Sequence, residues 1–289
     1  MEIAVISGKG GTGKSSLSAA FATLNEKVVV ADCDVDAANL YLLFNPEVDE
    51  EIIYTAGHKA VVDYEKCTGC NICAEYCRFG AISVNMERIE ISDTFCDGCF
   101  LCSRVCPADA ISMIPNNRSR LYSGSFRNGM MVYGRLAPGE ENSGKLVNMV
   151  RDKAKQVAGE TGTGTIIIDG PPGIGCPVIS SITGADRIVI VTEPTISGSG
   201  DMKRAVEIAR KFGFSPYVVL NKCDLNKSMT VKIHEWCHRN NIMVAGEIEF
   251  DPRITEAMLQ GKSVTEYNSN LEVSRKIAGI WAKISGKGS

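Results

Sequence analysis

The chain has 289 residues, 44% of them apolar, with a formal net charge of −3 at pH 7. That is enough apolar material for one large core or two smaller ones, and the near-balanced charge gives no electrostatic ground for binding nucleic acid or an anionic membrane. No uninterrupted apolar run approaches the ~20 residues of a membrane span, and a strand pattern begins at residue 2, where a signal peptide would sit. A cytoplasmic protein is expected, in which 12 cysteines point to metal or redox work instead of disulfides.

Ile3 to Ile6 reads as a buried strand, followed by Ser7-Gly8-Lys9-Gly10-Gly11-Thr12-Gly13-Lys14-Ser15-Ser16 and a helix pattern from about Lys14 to Leu24. Gly8, Gly13, Lys14 and Ser15 satisfy G-x-x-x-x-G-K-[ST] in the strand-to-helix context the motif requires. Backbone N–H groups along Gly8 to Ser16 can close around phosphate oxygens at the positive end of that helix. Lys14 is then placed for the β and γ phosphates and the Ser15 hydroxyl for Mg²⁺. A glycine-rich turn that binds nothing is the plain alternative, and the context counts against it.

Val28 to Ala31 is the next strand, completing a right-handed β-α-β unit, and it ends in Asp32-Cys33-Asp34-Val35-Asp36. Carboxylates at the carboxyl end of a strand beside a phosphate loop suit Mg²⁺ or an attacking water. Turn and N-cap chemistry is the alternative for Asp34 and Asp36. With Lys9 just after the first glycine, the loop matches K-G-G-x-G-K-[ST], and the chain resembles the MinD, ParA, Mrp and nitrogenase iron-protein group of P-loop ATPases. The resemblance implies ATP hydrolysis by a nucleotide-bound homodimer, with Lys9 crossing to the nucleotide of the second subunit and Asp34 orienting the hydrolytic water. It gives Asp32 and Asp36 no firm role.

Residues 58 to 116 interrupt the α/β pattern with Cys67-x-x-Cys70-x-x-Cys73-x-x-x-Cys77 and then Cys96-x-x-Cys99-x-x-Cys102-x-x-x-Cys106-Pro107. This repeat of C-x₂-C-x₂-C-x₃-C is the spacing of bacterial two-cluster ferredoxins, in which the fourth cysteine serves the other cluster. One [4Fe-4S] cluster is therefore expected on Cys67, Cys70, Cys73 and Cys106, and a second on Cys96, Cys99, Cys102 and Cys77. Short strands, Ala81 to Val84 and Ala110 to Ile114, close the two halves. Zinc sites usually take two separated pairs, so identical quartets suit cubane clusters better. Arg78 stands where the second quartet has Pro107, which puts the potential of the cluster on Cys77 in question.

The ATPase domain is then discontinuous, 1–57 plus 117–289, with the cluster domain 58–116 inserted. Leu121 to Leu136 reads as a hairpin turning at Asn128-Gly129, with a simple bridge as its plain role. Gly139-Glu140-Glu141-Asn142-Ser143-Gly144-Lys145 introduces a helix to about Val157, capped near Asn142 or Ser143. The stretch resembles one found in MinD-like ATPases that contain an inserted ferredoxin.

Thr165 to Ile168 delivers Asp169-Gly170-Pro171-Pro172-Gly173, similar to the family's Walker B and switch II segment, in which Asp169 would hold Mg²⁺ through water. Strands at Arg187–Val191, Tyr217–Leu220 and Val244–Ile248 alternate with helices near 199–212, 228–239 and 269–285. The fold expected is a doubly wound, mostly parallel α/β P-loop NTPase sheet with a small α+β ferredoxin-like insertion. Asn221-Lys222-Cys223-Asp224 matches the N-K-x-D that GTPases use for guanine. The family resemblance implies instead that an asparagine here contacts adenine, helped by the loop at Asp251-Pro252-Arg253, so Asn221, Asp224 and Pro252 are the candidate base contacts and ATP the expected nucleotide. Cys176, seven residues after Asp169, matches the offset of a subunit-bridging cluster ligand in nitrogenase iron proteins, though a small buried cysteine has the same appearance. The last helix places Val273, Ile277, Ile280, Trp281 and Ile284 on one face, which favours core packing over a membrane tail.

The function expected is an ATPase whose nucleotide-driven dimer switch is coupled to electron transfer through two [4Fe-4S] clusters toward an unidentified redox protein. A scaffold or carrier for iron-sulfur or other metal-cofactor assembly, delivering to a cluster-acceptor protein, is the alternative. Two fully ligated quartets favour electron transfer, because a carrier needs a labile, solvent-facing site.

Overall fold

The computed structural model describes every residue except 87, 138, 139, 141, 142 and 287–289. The first elements are β1 (Glu2–Ser7), α1 (Lys14–Thr23), β2 (Val28–Asp32), α2 (Leu40–Phe44) and β3 (Glu47–Tyr54). Next come β4 (Gly57–Val62), α3 (Ile72–Tyr76), β5 (Ile82–Asn85), β6 (Arg88–Ile91), α4 (Leu101–Val105) and β7 (Ile111–Asn116). Then follow β8 (Ser119–Phe126), β9 (Gly129–Arg135), α5 (Ser143–Thr161), β10 (Ile166–Pro172), α6 (Cys176–Ile182), β11 (Arg187–Thr192) and α7 (Ile196–Lys211). The chain finishes with β12 (Tyr217–Asn221), α8 (Lys227–Arg239), β13 (Met243–Ile248), α9 (Pro252–Leu259), α10 (Val264–Tyr267) and α11 (Glu272–Ser285). Two compact units result: Met1–Glu51 with Leu121–Gly134 and Ser143–Ser289, and Ile52–Arg120 with Arg135–Asn142.

Among the described residues nine strands form one sheet in the order β13-β12-β11-β1-β10-β2-β9-β8-β3. The pairings from β13 through to β9 are all parallel. Parallel strands lie between helices and are buried on both faces, which is why Ile3–Ile6, Val28–Ala31 and Ile188–Val191 are unbroken apolar runs with almost no exposure. The mostly parallel α/β sheet expected from the sequence is the one that forms. The apolar face of α11 is buried, with Trp281 against Phe21 at 5.1 Å between ring centroids, so the last helix packs in the core. Among the described residues no helix is long and apolar enough to cross a membrane.

The hairpin read over Leu121 to Leu136 forms as β8 and β9, but it is more than a bridge. Its second strand extends the central sheet, Val28 facing Gly129 and Asp32 facing Tyr133 in parallel register. Met131, Val132 and Tyr133 are buried there, and Gly129, at φ 155°, lies so close to β2 that a Cβ would collide with the Val28 carbonyl. Helix α5 begins at Ser143 as expected; the cap proposed at Asn142 lies outside the described residues.

The smaller unit repeats itself every 29 residues, the separation of Cys67 from Cys96. The left-handed backbone positions recur at that offset: Gly69 and Gly98, Asn71 and Phe100, Gly80 and Asp109. Helices α3 and α4 repeat likewise, each starting directly after the second of these positions, Asn71 and Phe100, at Ile72 and Leu101. The strands cross over between the halves, β4 pairing antiparallel with β7 and β5 with β6. The strands read at Ala81 and Ala110 start one residue later and run on to Asn85 and Asn116.

Candidate functional site

The phosphate-loop motif joins β1 to α1. Gly13 caps α1 in the left-handed region at φ 90°, and a Cβ there would collide with Asn221 Nδ2. A Cβ on Gly8 would run into Asp201, so close approach requires both glycines, and at Gly13 the backbone conformation requires glycine too. Asn221 Nδ2 donates to the Thr12 carbonyl at 2.8 Å and Lys222 Nζ to the Gly11 carbonyl at 3.0 Å. Together they strap the end of β12 across the loop. Among the described residues the buried Thr12 hydroxyl has no hydrogen-bond partner.

The first turns of α1 place Lys14, Ser15 and Ser18 on one side, facing Asp169 in the middle of β10. Among the described residues three side chains donate to the fully buried Asp169. Lys14 Nζ reaches Oδ2 at 2.9 Å, Ser15 Oγ the same oxygen at 2.7 Å, and Ser18 Oγ reaches Oδ1 at 2.7 Å. Lys14 is also 4.0 Å from Asp34 Oδ2. Burial opposes the lysine's charge, yet Asp169, Asp32 and Asp34 outweigh it and hold its pKa above the ordinary value. Burial pushes the Asp32 carboxyl up to about 7, with the Asp169 charge adding to it and Lys14 opposing. Burial also raises Asp34 and Asp36. One lysine thus serves several crowded carboxylates, an arrangement short of positive charge that suits a divalent cation. The donors are hard oxygens, Ser15 and Asp169, and Mg²⁺ completes such a set with water and phosphate.

Asp32 itself faces away from this work. It accepts N–H groups from Asp34 at 3.1 Å, Asn39 at 3.2 Å and Leu40 at 3.1 Å, which shapes the loop that carries Asp34. Lys9 lies against its own chain, Nζ 2.5 Å from Glu193 Oε1 and 3.3 Å from Ser197 Oγ. Glu193 also pairs with Lys222 at 3.6 Å; burial pushes its carboxyl up, but the two lysines prevail and hold it below the ordinary range. A cavity of about 220 Å³ opens beside the loop, lined by Gly11, Gly13, Leu17, Asn221, Phe250 and Ile277 among others. Of the expected base contacts Asn221 lines it, whereas Pro252 lines a neighbouring cavity of about 380 Å³ and Asp224 lines neither. Asp224 Oδ1 accepts the Phe250 N–H at 2.7 Å and so braces the cavity wall.

In the smaller unit the two cysteine quartets stand around separate cavities. Cys67, Cys70, Cys73 and Cys106 line one small cavity. Cys77, Cys96, Cys99 and Cys102 line another. Each therefore collects three cysteines from one repeat and the fourth from the other. The Ala110 N–H donates to Cys106 Sγ at 3.3 Å. Burial raises the Cys73 thiol and takes Cys102 up to about 11, with the neighbouring cysteines adding to it. Among the described residues no group of three or more His, Cys, Asp or Glu side chains could hold a metal ion directly. Of the remaining cysteines Cys33, Cys223 and Cys237 are buried, and Cys176 is exposed at the start of α6.

A family profile described as the CobQ/CobB/MinD/ParA nucleotide-binding domain matches residues 3–264. The chain belongs to that family. An uncharacterised protein of Methanocaldococcus jannaschii is 38% identical over 229 residues, covering 78% of this chain and 79% of the relative. An uncharacterised ATP-binding protein of the same organism is 23% identical over 288 residues, covering 98% and 87%. The septum site-determining protein MinD of Pyrococcus horikoshii, solved with Mg-ADP, shares the fold over 100% of this chain and 97% of its own, at 18% identity and a TM-score of 0.61.

For a CobQ/CobB/MinD/ParA domain, two side chains here escape a motif-based reading, and a third, Asp224, is reached by a motif only in another role. Ser18 lies beyond the phosphate-loop pattern; only its i+4 spacing from Lys14 gives it away. Glu193 follows β11 with no motif around it. The bracing role of Asp224 depends on the distant Phe250 and carries no local signal.

Proposed function

We propose that this family member binds and hydrolyses ATP with Mg²⁺ as a nucleotide-dependent homodimer, and that the cycle gates electron transfer through two [4Fe-4S] clusters held by a ferredoxin-like smaller unit. The observation that carries the iron-sulfur half is the crossed membership of the two cysteine cavities. A cubane is a body with iron at several corners, and it suits sulfurs spread around a cavity. A zinc ion bonded at about 2.3 Å would draw its sulfurs together. When bound, such clusters carry single electrons at potentials set by burial and by hydrogen bonds to the sulfurs.

In the nucleotide half, backbone N–H groups from Gly8 to Ser16 bind the phosphates, and Lys14 leaves Asp169 to neutralise charge building at the γ-phosphoryl oxygens. Ser15 and, through water, Asp169 hold the Mg²⁺, which supplies further charge neutralisation. Asp34 orients the water whose oxygen bonds to the γ-phosphorus as the bridging P–O bond breaks, releasing ADP and phosphate. Lys9 must leave Glu193 to act on a second subunit. Adenine is favoured because Asp224, the aspartate that would read guanine, lines neither cavity beside the loop, whereas Asn221 lines the one next to the glycines.

Anaerobically isolated protein tests the reading. It should contain about eight iron and eight sulfide per chain, four for each cubane, turn over ATP in preference to GTP, and, once its clusters are reduced with dithionite, pass electrons to an acceptor only with nucleotide. Absence of iron, or acceptor reduction indifferent to ATP, contradicts it. ATP-dependent loading of an apo-ferredoxin would replace electron transfer with the carrier function.

A further inference from the structure

The Asp169 carboxylate is fully buried, and its two oxygens are treated differently. Oδ2 takes both groups that the nucleotide would recruit, Lys14 and Ser15. Among the described residues Oδ1 takes only the hydroxyl of Ser18, at 2.7 Å, and that side chain is itself fully buried. Ser18 sits one helical turn beyond Lys14, behind the phosphate loop and outside the nucleotide cavity. We propose that Ser18 is the positioning residue that fixes the rotation of the Asp169 carboxylate, so that Oδ2 stays turned toward the metal once Lys14 and Ser15 have moved to the phosphates.

The inference rests on the Mg-nucleotide reading above. A carboxylate can rotate about its last bond even where the backbone is held in a sheet, as Asp169 is within β10, and water-mediated contact with a cation tolerates little misdirection. Outer-shell hydrogen bonds of this kind typically set metal affinity by about 10–100-fold. In the chain without nucleotide, Lys14 and Ser15 alone suffice to hold Asp169; Ser18 becomes decisive only when they depart. Its loss should therefore spare phosphate binding and weaken the metal's contribution to it.

The experiment titrates Mg²⁺ against binding of a fluorescent ATP analogue, in wild type, Ser18→Ala, Ser18→Thr and Ser18→Cys, with a parallel series in EDTA. For Ser18→Ala the Mg²⁺ concentration at half-effect should rise about 10–100-fold, with metal-free nucleotide binding unchanged. Ser18→Thr keeps the hydroxyl and should keep the wild-type requirement, whereas Ser18→Cys, a weak donor of similar size, should raise it and carries the test if the alanine variant fails to fold. An unchanged Mg²⁺ requirement in Ser18→Ala, or an equal loss in EDTA, overturns the positioning role alone. Wild type that binds nucleotide with no response to Mg²⁺ overturns the metal reading and this inference with it.

Discussion

Lys14 and Asp169 form a buried pair at 2.9 Å in which each neutralises the other. Removing one partner of such a pair leaves an uncompensated charge and typically costs about 3–5 kcal/mol. Lys14→Met should therefore lower the free energy of unfolding by several kcal/mol in urea titration, besides abolishing nucleotide binding. Adding Asp169→Asn should restore most of the stability and none of the binding. If Lys14→Met were as stable as wild type, the ion pair would not be the resting partner of that lysine. The motif made Lys14 and Ser15 legible, because glycine spacing and a strand-to-helix turn are local. It could not reveal that Asp169, 155 residues away, holds Lys14 before nucleotide arrives.

At the scale of elements, the turn between β8 and β9 is anchored by Arg127, whose guanidinium reaches Glu266 Oε1 at 2.5 Å and Oε2 at 2.9 Å. Glu266 also closes a capping box with Ser263 at the start of α10. Burial pushes its carboxyl up, but the Arg127 hydrogen bonds and the Ser263 N–H prevail and hold it below its ordinary value of 4.5. A lowered folded pKa means the stabilisation is complete above the unfolded value and is lost as pH falls through the folded one. Melting temperature should thus fall below about pH 4.5 more steeply in wild type than in Glu266→Gln, which near pH 7 loses about 0.5–1 kcal/mol. Equal acid slopes would show that the contact does not matter. The Asn128-Gly129 turn announced this hairpin, and Ser263-Val264-Thr265-Glu266 carries a capping-box signature that would have located α10. Nothing local marks β9 as the neighbour of β2, since parallel partners are chosen by tertiary packing.

For the whole molecule, the sequence reading was strongest where chemistry repeats. The 29-residue spacing of the cysteines reappears in backbone conformation and in crossed strand pairing, because three thiolates and a short helix dictate a loop almost by themselves. It was weakest at short helices and at side chains such as Glu193, whose partners lie far along the chain. The crossed quartets make a sharp prediction: Cys106→Ser and Cys70→Ser should remove the same cluster, and Cys77→Ser the other, read as iron content and spectroscopic signature. Loss of the Cys96 cluster in Cys106→Ser would disprove the crossing. The union of a nucleotide switch with a redox module is best tested by electron paramagnetic resonance of the dithionite-reduced protein under anaerobic potentiometric control, with MgATP, with MgADP and with neither. The account predicts signals of two [4Fe-4S] clusters whose midpoint potential or line shape shifts with MgATP relative to MgADP; no cluster signal, or signals identical in all three states, would contradict it.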